Sequence, residues 1–498
     1  MPGSPSQPRS RTSAADRTSA SGTDHGRRLS PVDGAFLRLE SPQSHMHVGF
    51  SGVFAAPSGR PRPSVEALRE RAAGRLHEVP WCRWRLDPAP LGLSEPRWID
   101  DVRFDLAAHI VALTRPEDRV SYASFEALRS TVLSAPLDRA RPLWQIFLVP
   151  QLEDGRVGMV GKIHHALVDG LAALQIVRLI VDPEPDVASQ PPVPWQPRGR
   201  PGRVGWALDA VTRTFADGAG ALRAGASAAA HPPATIANAV RDARRVLGAA
   251  AEEVLSPAPP SALNAPIGAR RTLVGYHARR DELQAARRAG GTLNDVGLAA
   301  VAGAVRALLR RDDERPPAEP LKAMVPVSMR RVGDTAAGNQ ISMVTIALPV
   351  HLDRAIERLE WVREQTKRLK QTDRPVGTQK LYQAAGLLPT PLRSPAARVM
   401  ATPRQFNLTV SQSPAPRGSL YLLGCELEEV YSVVPIAQRH ALAIGMVRYR
   451  QELFFGCYAD PDALPDVHRL PALIEAELRE LGHATTRARA DDAPVASR

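Results

Sequence analysis

The sequence predicts a folded protein of two domains, each of which mixes β-strands with α-helices. The chain has 498 residues, and single hydrophobic cores stop growing well below that length. Hydrophobic residues make up 44% of the chain and charged residues 23%, values near those of globular proteins. Strand-like and helix-like spacings of apolar residues occur on both sides of a proline-rich break. Two α/β domains are therefore expected.

Helix and strand signals alternate in the first half of the chain. Ser30-Pro31 is typical of an N-cap followed by proline at the first helical position, and Ser64 is a second N-cap candidate. Helices are expected at Val32–Leu39, from Ser64 to Leu76, and at Ala123–Leu133. Strands are expected at His45–Phe54, Trp144–Leu152 and Arg156–Ile163, the last two joined by the hairpin signal Glu153-Asp154-Gly155.

Composition divides the chain into five segments. These are a disordered basic arm at 1–28, an N-terminal domain at 29–183, a proline-rich linker with an Ala- and Arg-rich helical connection at 184–265, a C-terminal domain at 266–483, and a disordered tail at 484–498. In the C-terminal domain, helices are expected at Arg280–Ala289 and Leu293–Leu309, and strands at Ala323–Pro326, Ile341–Pro349, Gln405–Val410, Ala441–Tyr449 and Leu453–Tyr458.

The formal net charge of +12 favours an anionic partner, which can be nucleic acid, a lipid surface or a phosphorylated cofactor. Nucleic acid is disfavoured because aromatic residues are few, arginines are scattered, and zinc-finger and RNP patterns are missing. The cysteines Cys82, Cys425 and Cys457 lie far apart, which predicts no disulfide framework and no zinc site, and fits a reducing cytoplasm. Since apolar runs of about eighteen residues do not occur, membrane contact is expected to be peripheral.

Two adjacent histidines, His164 and His165, follow a predicted strand and precede apolar residues at helical spacing. Imidazole titrates near neutral pH, so it suits a base that takes the proton of a hydroxyl group. Neighbouring residues at a strand end point to opposite faces, and we expect one histidine in the substrate site and the other in a structural role. Taken alone, such pairs are more often packing residues. A metal site is disfavoured because the pair lacks i, i+4 spacing and no third ligand can be assigned.

Asp169 and Gly170 follow the histidines. Asp169 is able to orient a histidine, to pair with a distant arginine or to cap the helix that begins beside it. Gly170 suits a place where the backbone approaches a substrate or turns sharply, and it equally suits an ordinary junction. The residues alone leave these alternatives open.

Several motifs accompany this pair in a fixed order. The central one is His164-His165-Ala166-Leu167-Val168-Asp169-Gly170, which has the form HHxxxDG. The others are Leu29-Ser30-Pro31-Val32-Asp33, Met46-His47-Val48-Gly49, Pro136-Leu137-Asp138-Arg139, Pro142-Leu143-Trp144, Leu293-Asn294-Asp295-Val296 and Val325-Pro326-Val327-Ser328-Met329-Arg330. Together they resemble the bacterial wax ester synthase/diacylglycerol acyltransferase family of the CoA-dependent acyltransferase superfamily. The resemblance covers roughly Leu29 to Leu481.

That resemblance implies an α/β (α+β sandwich) fold of two chloramphenicol-acetyltransferase-like domains with a substrate channel between them. It implies an O-acyltransferase that moves a long-chain acyl group from acyl-CoA, its co-substrate, to diacylglycerol or a long-chain alcohol. Neither a covalent acyl-enzyme nor a further cofactor is implied. His165 would be the catalytic base, His164 would support its placement, Asp169 would hold the loop, and Gly170 would leave room beside the channel.

Further candidate residues lie in the C-terminal half. By the resemblance, Asn294 and Asp295 brace or line the channel. Arg330 and Arg331 either meet the CoA phosphates or are solvated. One segment departs from the family pattern, because Ser411-Gln412-Ser413-Pro414-Ala415-Pro416 stands where a sequence like Thr-Asn-Val-Pro-Gly-Pro is usual. Gln412 is able to replace the lost amide at longer reach, which leaves acceptor choice open.

Two alternatives to this function remain. The acceptor can be a different alcohol, such as a polyketide, a sugar or a sterol, or the protein can be a non-catalytic lipid-binding protein of lipid-body surfaces. A cytoplasmic location is expected, with peripheral contact to the inner membrane or to lipid bodies. The basic arm is a solvated tail or a contact with an anionic membrane. The segment Tyr449-Arg450-Gln451-Glu452 also lacks the glycine expected in its turn.

Overall fold

The computed structural model describes residues 27–89, 96–167, 175–199, 202, 256–310, 318–328, 341–371, 405–413 and 418–491. The longer helices in these ranges are α1 (Pro31–Leu39), α2 (Val65–Arg75), α3 (Tyr122–Ser134), α4 (Arg280–Arg287), α5 (Leu293–Leu309), α6 (Ala355–Gln371) and α7 (Leu470–Asp491). The strands are β1 (Arg27–Arg28), β2 (His47–Phe54), β3 (Trp84–Asp87), β4 (Arg97–Asp100), β5 (Ile110–Ala112), β6 (Trp144–Val149), β7 (Val157–His164), β8 (Thr272–Ala278), β9 (Leu321–Ser328), β10 (Ile341–Leu348), β11 (Leu408–Ser413), β12 (Tyr421–Leu422), β13 (Cys425–Val433), β14 (Leu442–Tyr449) and β15 (Glu452–Ala459).

Helix starts follow from local capping. The Ser30 hydroxyl accepts from the Asp33 N–H at 3.1 Å, and the Asp33 carboxylate accepts from the Ser30 N–H at 3.3 Å. This reciprocal pair satisfies N–H groups that the first turn of α1 leaves without helical partners. Thr292 and Asp295 form the same arrangement at the start of α5. The predicted helix starts at these positions are confirmed.

Two six-stranded sheets form the body of the protein. One has the strand order β12-β13-β2-β7-β6-β5 and the other β10-β9-β11-β14-β15-β8. A small sheet of β1, β4 and β3 accompanies them. Within the large sheets, β5–β6, β9–β11 and β11–β14 are parallel pairs and the other pairs are antiparallel. Both halves mix strands with helices, which confirms the predicted fold class.

The two halves repeat one four-stranded pattern. In the N-terminal half the order is β2-β7-β6-β5, and in the C-terminal half it is β8-β15-β14-β11. Each pattern consists of two antiparallel pairs followed by one parallel pair. The second strand of each pattern is the returning strand of a β-hairpin. These second strands are β7 and β15, so the end of β7 corresponds to the end of β15.

The predicted C-terminal domain at 266–483 is not self-contained. Strand β13 crosses over and pairs with β2 of the N-terminal sheet, with Val433 opposite Gly49 and Leu427 opposite Phe54. Without β13, β2 would present a row of unpaired backbone groups at the sheet edge. The two halves therefore share one sheet, and the boundary predicted between them needs this correction.

Three other predicted boundaries shift. Arg27 and Arg28 pair with Trp98 and Arg97, so the folded part begins before residue 29. Residues 256–265 belong to the C-terminal half, because the Leu263 carbonyl accepts a hydrogen bond at 2.7 Å from the N–H of Ala441, the residue before β14. The tail predicted at 484–498 starts later, since α7 continues to Asp491 through a stretch of good helix formers without proline.

The proline-rich segment at 184–199 contains no helix or strand and is held to the N-terminal half, where the Arg198 N–H donates to Asp100 at 2.8 Å. The predicted Ala- and Arg-rich connection lies outside the described residues. In the turn between β14 and β15, Arg450 and Gln451 have φ values of 50° and 70°. Two side-chain-bearing residues thus adopt the left-handed conformation in which a glycine was expected. None of the helices in the described ranges is long and apolar enough to cross a membrane.

Candidate active site

Three backbone hydrogen bonds fix the end of β7. The His164 N–H donates to the Leu143 carbonyl at 2.9 Å, and the His165 N–H donates to the Met46 carbonyl at 3.0 Å. The Leu167 N–H then donates back to the His164 carbonyl at 2.9 Å, which closes a turn over residues 165–167. Met46 has a φ of 46°, a strained conformation for a residue with a side chain. The paired histidines therefore lie on rigid backbone.

The glycine of the Met46-His47-Val48-Gly49 motif allows β2 to pack closely beside β7. A Cβ atom at Gly49 would lie 2.2 Å from the Gly161 carbonyl oxygen, a distance that no real contact permits. Any larger residue would push β2 away from β7. Because His47 lies opposite His164 in the register of these strands, this glycine helps to set the place of the histidine pair.

His164 is buried, with 1% of its surface exposed. Its Nδ1 accepts from the Ala166 N–H at 3.0 Å, and its Nε2 lies 3.5 Å from Oε1 of Glu40. Arg139 binds the other oxygen of that carboxylate, Oε2, through Nε at 2.7 Å. Burial alone would raise the pKa of Glu40, but His164 and Arg139 together hold it below its ordinary value.

His165 has a different environment. Its side chain is partly exposed, and its ring lies flat on Phe36 of α1, with centroids 3.8 Å apart and an interplanar angle of 8°. The two histidines therefore differ in burial and in neighbours, and the assignment of one of them to the substrate site stays a prediction. His164 is buried between the Ala166 N–H and the Glu40 carboxylate. His165 stacks on the ring of Phe36.

A third imidazole, His47, lies opposite His164, with ring centroids 6.3 Å apart in an edge-to-face arrangement. It is buried, and burial together with the charge of Lys162 lowers the pKa of His47 well below the ordinary value. His45 stacks on it at 5.5 Å. A neutral imidazole is favoured at this position. Among the described residues, no cluster of His, Cys, Asp or Glu has the arrangement of a metal site.

His165 lies beside a group of apolar side chains, because it stacks on Phe36 and precedes Ala166, which both belong to that group. This group forms a cluster separate from the main core, with buried members Leu29, Phe36, Leu37, Met46, Leu86, Trp98, Leu137, Leu143 and Ala166. Met343 and Ala437 of the C-terminal half pack against the same cluster. The Ser44 hydroxyl also donates to the Ile436 carbonyl at 2.9 Å, which ties the two halves together here. Side chains of both halves therefore pack in the apolar cluster beside His165.

Asp295 has a structural role. Its Oδ2 accepts from the N–H and the hydroxyl of Thr292, each at 2.8 Å, and its Oδ1 accepts from the Thr366 hydroxyl at 2.8 Å. The buried carboxylate thus caps α5 and binds α5 to α6. The function implied for it by the resemblance, bracing or lining the channel, stays a prediction. Asn294 is half-buried at the same helix start.

Within the described ranges, no contact joins the remaining predicted residues to the histidines. Gln412 lies on β11 opposite Met446, with an exposed side chain. Asp169, Gly170, Arg330 and Arg331 fall outside the described residues. Sequence reasoning missed Glu40, Phe36 and the function of Arg139. Arg139 ends a motif that was recognised, whereas Glu40 lies between two motifs and carried no signal of its own.

Comparisons with known proteins show the family of this chain. Residues 29–297 match the wax ester synthase/diacylglycerol acyltransferase catalytic domain, and residues 337–482 match the C-terminal domain of the same family. A protein of Mycobacterium tuberculosis (strain H37Rv), named a probable diacylglycerol O-acyltransferase, is 30% identical over 466 residues, which cover 91% of this chain and 95% of the relative.

Solved structures show the same architecture. The wax ester synthase/diacylglycerol acyltransferase of Marinobacter aquaeolei VT8 matches with a TM-score of 0.64 and 26% identity, covering 92% of this chain and all of that one. A trichothecene 15-O-acetyltransferase from Fusarium sporotrichioides matches with a TM-score of 0.55 at 14% identity, covering 92% of this chain and 94% of that one, and shows the fold alone.

The fold and the paired histidines at a strand end define the class, an acyltransferase built from two α/β halves. Within that class, the chain belongs to the wax ester synthase/diacylglycerol acyltransferase family.

Proposed function

We propose that this protein transfers a long-chain acyl group from acyl-CoA to the hydroxyl group of diacylglycerol or of a long-chain alcohol, with His165 as the general base. The observation that carries the proposal is the His165 imidazole, which lies partly exposed on Phe36 at a rigid strand end. The apolar cluster beside it suits an acyl chain and a lipid acceptor. The name of the mycobacterial relative supports diacylglycerol as acceptor.

The chemistry needs one base. His165 takes the hydroxyl proton while the acceptor oxygen forms a bond to the thioester carbonyl carbon. The tetrahedral intermediate then collapses, the carbon–sulfur bond breaks, and the CoA thiolate takes the proton from the imidazolium. A well-placed base contributes about 10² to 10⁴ in rate. Orientation of the substrates and stabilisation of the oxyanion supply the remainder.

We place the substrate channel between the two halves, on the side where Met343 and Ala437 meet the apolar cluster. Both lipid substrates reside in or near membranes, and the net charge of +12 suits an anionic lipid surface. Peripheral contact with the inner membrane or with lipid bodies is therefore part of the proposal.

The test is acyl transfer by the purified protein from radiolabelled palmitoyl-CoA. The acceptors are hexadecanol, short alcohols, and dipalmitoylglycerol presented in vesicles that contain phosphatidylglycerol. His165→Ala is expected to lower the rate by about 10² to 10⁴. His77→Ala, at an exposed histidine of the same half, serves as the control and should match the wild type. Sedimentation of the protein with the same vesicles, and its loss in high salt, reports on peripheral binding.

The outcomes separate the alternatives. A His165→Ala variant as active as the wild type would remove His165 as the base. Ester formed only with short alcohols would favour a different acceptor. Vesicle binding without ester from any alcohol would support a non-catalytic lipid-binding protein.

A further inference from the structure

One turn of α1 contacts both histidines. Phe36 lies under the His165 ring, and Glu40, the residue that ends the helix, lies beside His164. The Glu40 N–H donates to the Phe36 carbonyl at 3.1 Å, so the two residues are held as a unit. A displacement of the C-terminal end of α1 would therefore move the contacts of both His164 and His165.

The contacts of His164 determine which nitrogen carries its proton. The Ala166 backbone N–H is always a donor, so the Nδ1 that faces it at 3.0 Å must be the unprotonated nitrogen. In a neutral ring the proton then resides on Nε2, which lies 3.5 Å from Oε1 of Glu40. An ionised carboxylate only accepts hydrogen bonds, so it favours this tautomer.

Arg139 fixes the carboxylate in that state. Its Nε donates to Oε2 of Glu40 at 2.7 Å, and its NH2 group donates both to Oε2 and to the Leu37 carbonyl, the latter at 3.0 Å. Both contacts with the carboxylate use Oε2, which leaves Oε1 directed at His164. Arg139 therefore holds the end of α1 and orients Glu40 together.

We propose that Glu40 is a positioning residue for His165, an inference that rests on the proposed function of His165. The ionised carboxylate keeps the proton of His164 on Nε2, and Nδ1 of His164 then accepts from Ala166 and keeps the 165–167 turn closed. In the other tautomer, an Nδ1–H would face the Ala166 N–H and the turn would open. The His165 ring would then lose its place on Phe36.

Glu40→Gln tests this step because the side chain keeps its size. Arg139 needs an acceptor, so the amide oxygen turns to Arg139 and the NH2 group faces His164, which reverses the tautomer preference. We expect kcat to fall about 10- to 100-fold, the effect of displacing a catalytic group by about 1 Å, with KM for acyl-CoA unchanged. Glu126→Gln, which removes an ion-paired carboxylate of α3 in the same half, is the control and should retain wild-type kinetics.

A double variant separates this function from general stability. In His164→Asn, the amide oxygen takes the position of Nδ1 and can still accept from Ala166, while no ring proton remains to be placed. Adding Glu40→Gln to His164→Asn should therefore cause no further loss of kcat. A further loss equal to that in the wild-type background would overturn the proposal.

A readout without substrate distinguishes failure of this inference from failure of the proposed function. Diethyl pyrocarbonate modifies neutral imidazoles, and peptide mass spectrometry measures its rate at His165 across pH. We expect Glu40→Gln to change this rate several-fold and Glu126→Gln to leave it unchanged. A wild type that forms no ester would refute the function alone. An unchanged His165 reactivity in Glu40→Gln would refute the inference, whatever the activity.

Discussion

The two halves of the molecule share a strand pattern and differ at one strand end. In the N-terminal half, β7 ends at His164, opposite His47, and His165 follows. In the C-terminal half, β15 ends at Ala459, opposite Thr272, and Asp460 follows. The place that holds the candidate base in one half thus holds a carboxylate in the other.

The two strand ends are closed in different ways. The Asp460 carboxylate is fully buried and accepts from the backbone N–H groups of Asp462 at 2.7 Å, of Ala463 at 3.1 Å and of Gly268. At β7, His164 closes the turn with two acceptors: its carbonyl accepts from Leu167 and its Nδ1 accepts from Ala166. Asp460 binds three backbone N–H groups, whereas the partly exposed His165 ring, which stacks on Phe36, follows the end of β7. The same strand pattern therefore ends in a buried carboxylate in one half and in the candidate base in the other.

The largest expected effect is a loss of stability when Asp460, at the end of β15, is replaced. Asp460→Ala removes the acceptor of three backbone N–H groups and leaves Arg271, 3.7 Å away and buried, without its anion. We expect the free energy of unfolding to fall by about 3–5 kcal/mol, measured by urea denaturation.

Asp462→Ala provides the matched control, because its side chain is half exposed and pairs with the exposed Arg270. That variant should lose about 0.5 kcal/mol or less. A similar loss in both variants would show that the buried carboxylate does not close the strand end.

The second prediction concerns pH and a buried histidine of the C-terminal half. Burial lowers the pKa of His440 to about 4, from an ordinary value of 6.5, against the carbonyl oxygens around it. As pH falls through 6.5, the unfolded chain takes up a proton that the folded protein does not. Stability is therefore full above pH 6.5 and is lost as pH falls toward 4, by on the order of 3 kcal/mol for this group.

His440→Gln keeps a donor for the Phe406 carbonyl, which lies 3.2 Å from Nε2, but does not titrate. Thermal melts between pH 7 and pH 4.5 should show a shallower decline in Tm for this variant. His468→Gln, at an exposed histidine, should keep the wild-type slope. An equal slope in all three proteins would refute the assignment.

The smallest expected effect concerns the aromatic contacts. Each half stacks a histidine on a phenylalanine: His165 on Phe36 at 3.8 Å, and His440 on Phe406 at 4.0 Å. Such pairs are worth about 0.5–1.5 kcal/mol. Phe36→Leu should lower kcat by about three- to tenfold, because it loosens the His165 ring.

Phe406→Leu also removes a stack of this strength, so it should lower Tm. It should leave kcat of the folded protein unchanged. Steady-state kinetics and melts on both variants provide the measurement. Equal kcat values in the two variants would mean that the stack on Phe36 has no part in the reaction.

Local sequence determined much of the fold. The starts of α1, α2 and α5 follow from Ser30, Ser64 and Thr292, because a cap is satisfied within one turn. Most of the predicted strands are found within a few residues of their expected bounds. The strands not predicted were β1, β3, β4, β5, β8, β12 and β13. β13 carries several charged residues, so its local sequence does not predict a strand. It forms by pairing with β2, which is distant in the chain.

The candidate site divides in the same way. The sequence by itself determined the HHxxxDG motif, the strand that precedes it, and the expectation that His164 and His165 differ. Only the tertiary structure decided what each ring contacts. It brings Glu40 to His164 and Phe36 to His165, both from α1, and Arg139 from a loop to Glu40. Caps and strand alternation depend on neighbours in sequence. The surroundings of a catalytic side chain depend on packing between distant segments, and no local pattern records that packing.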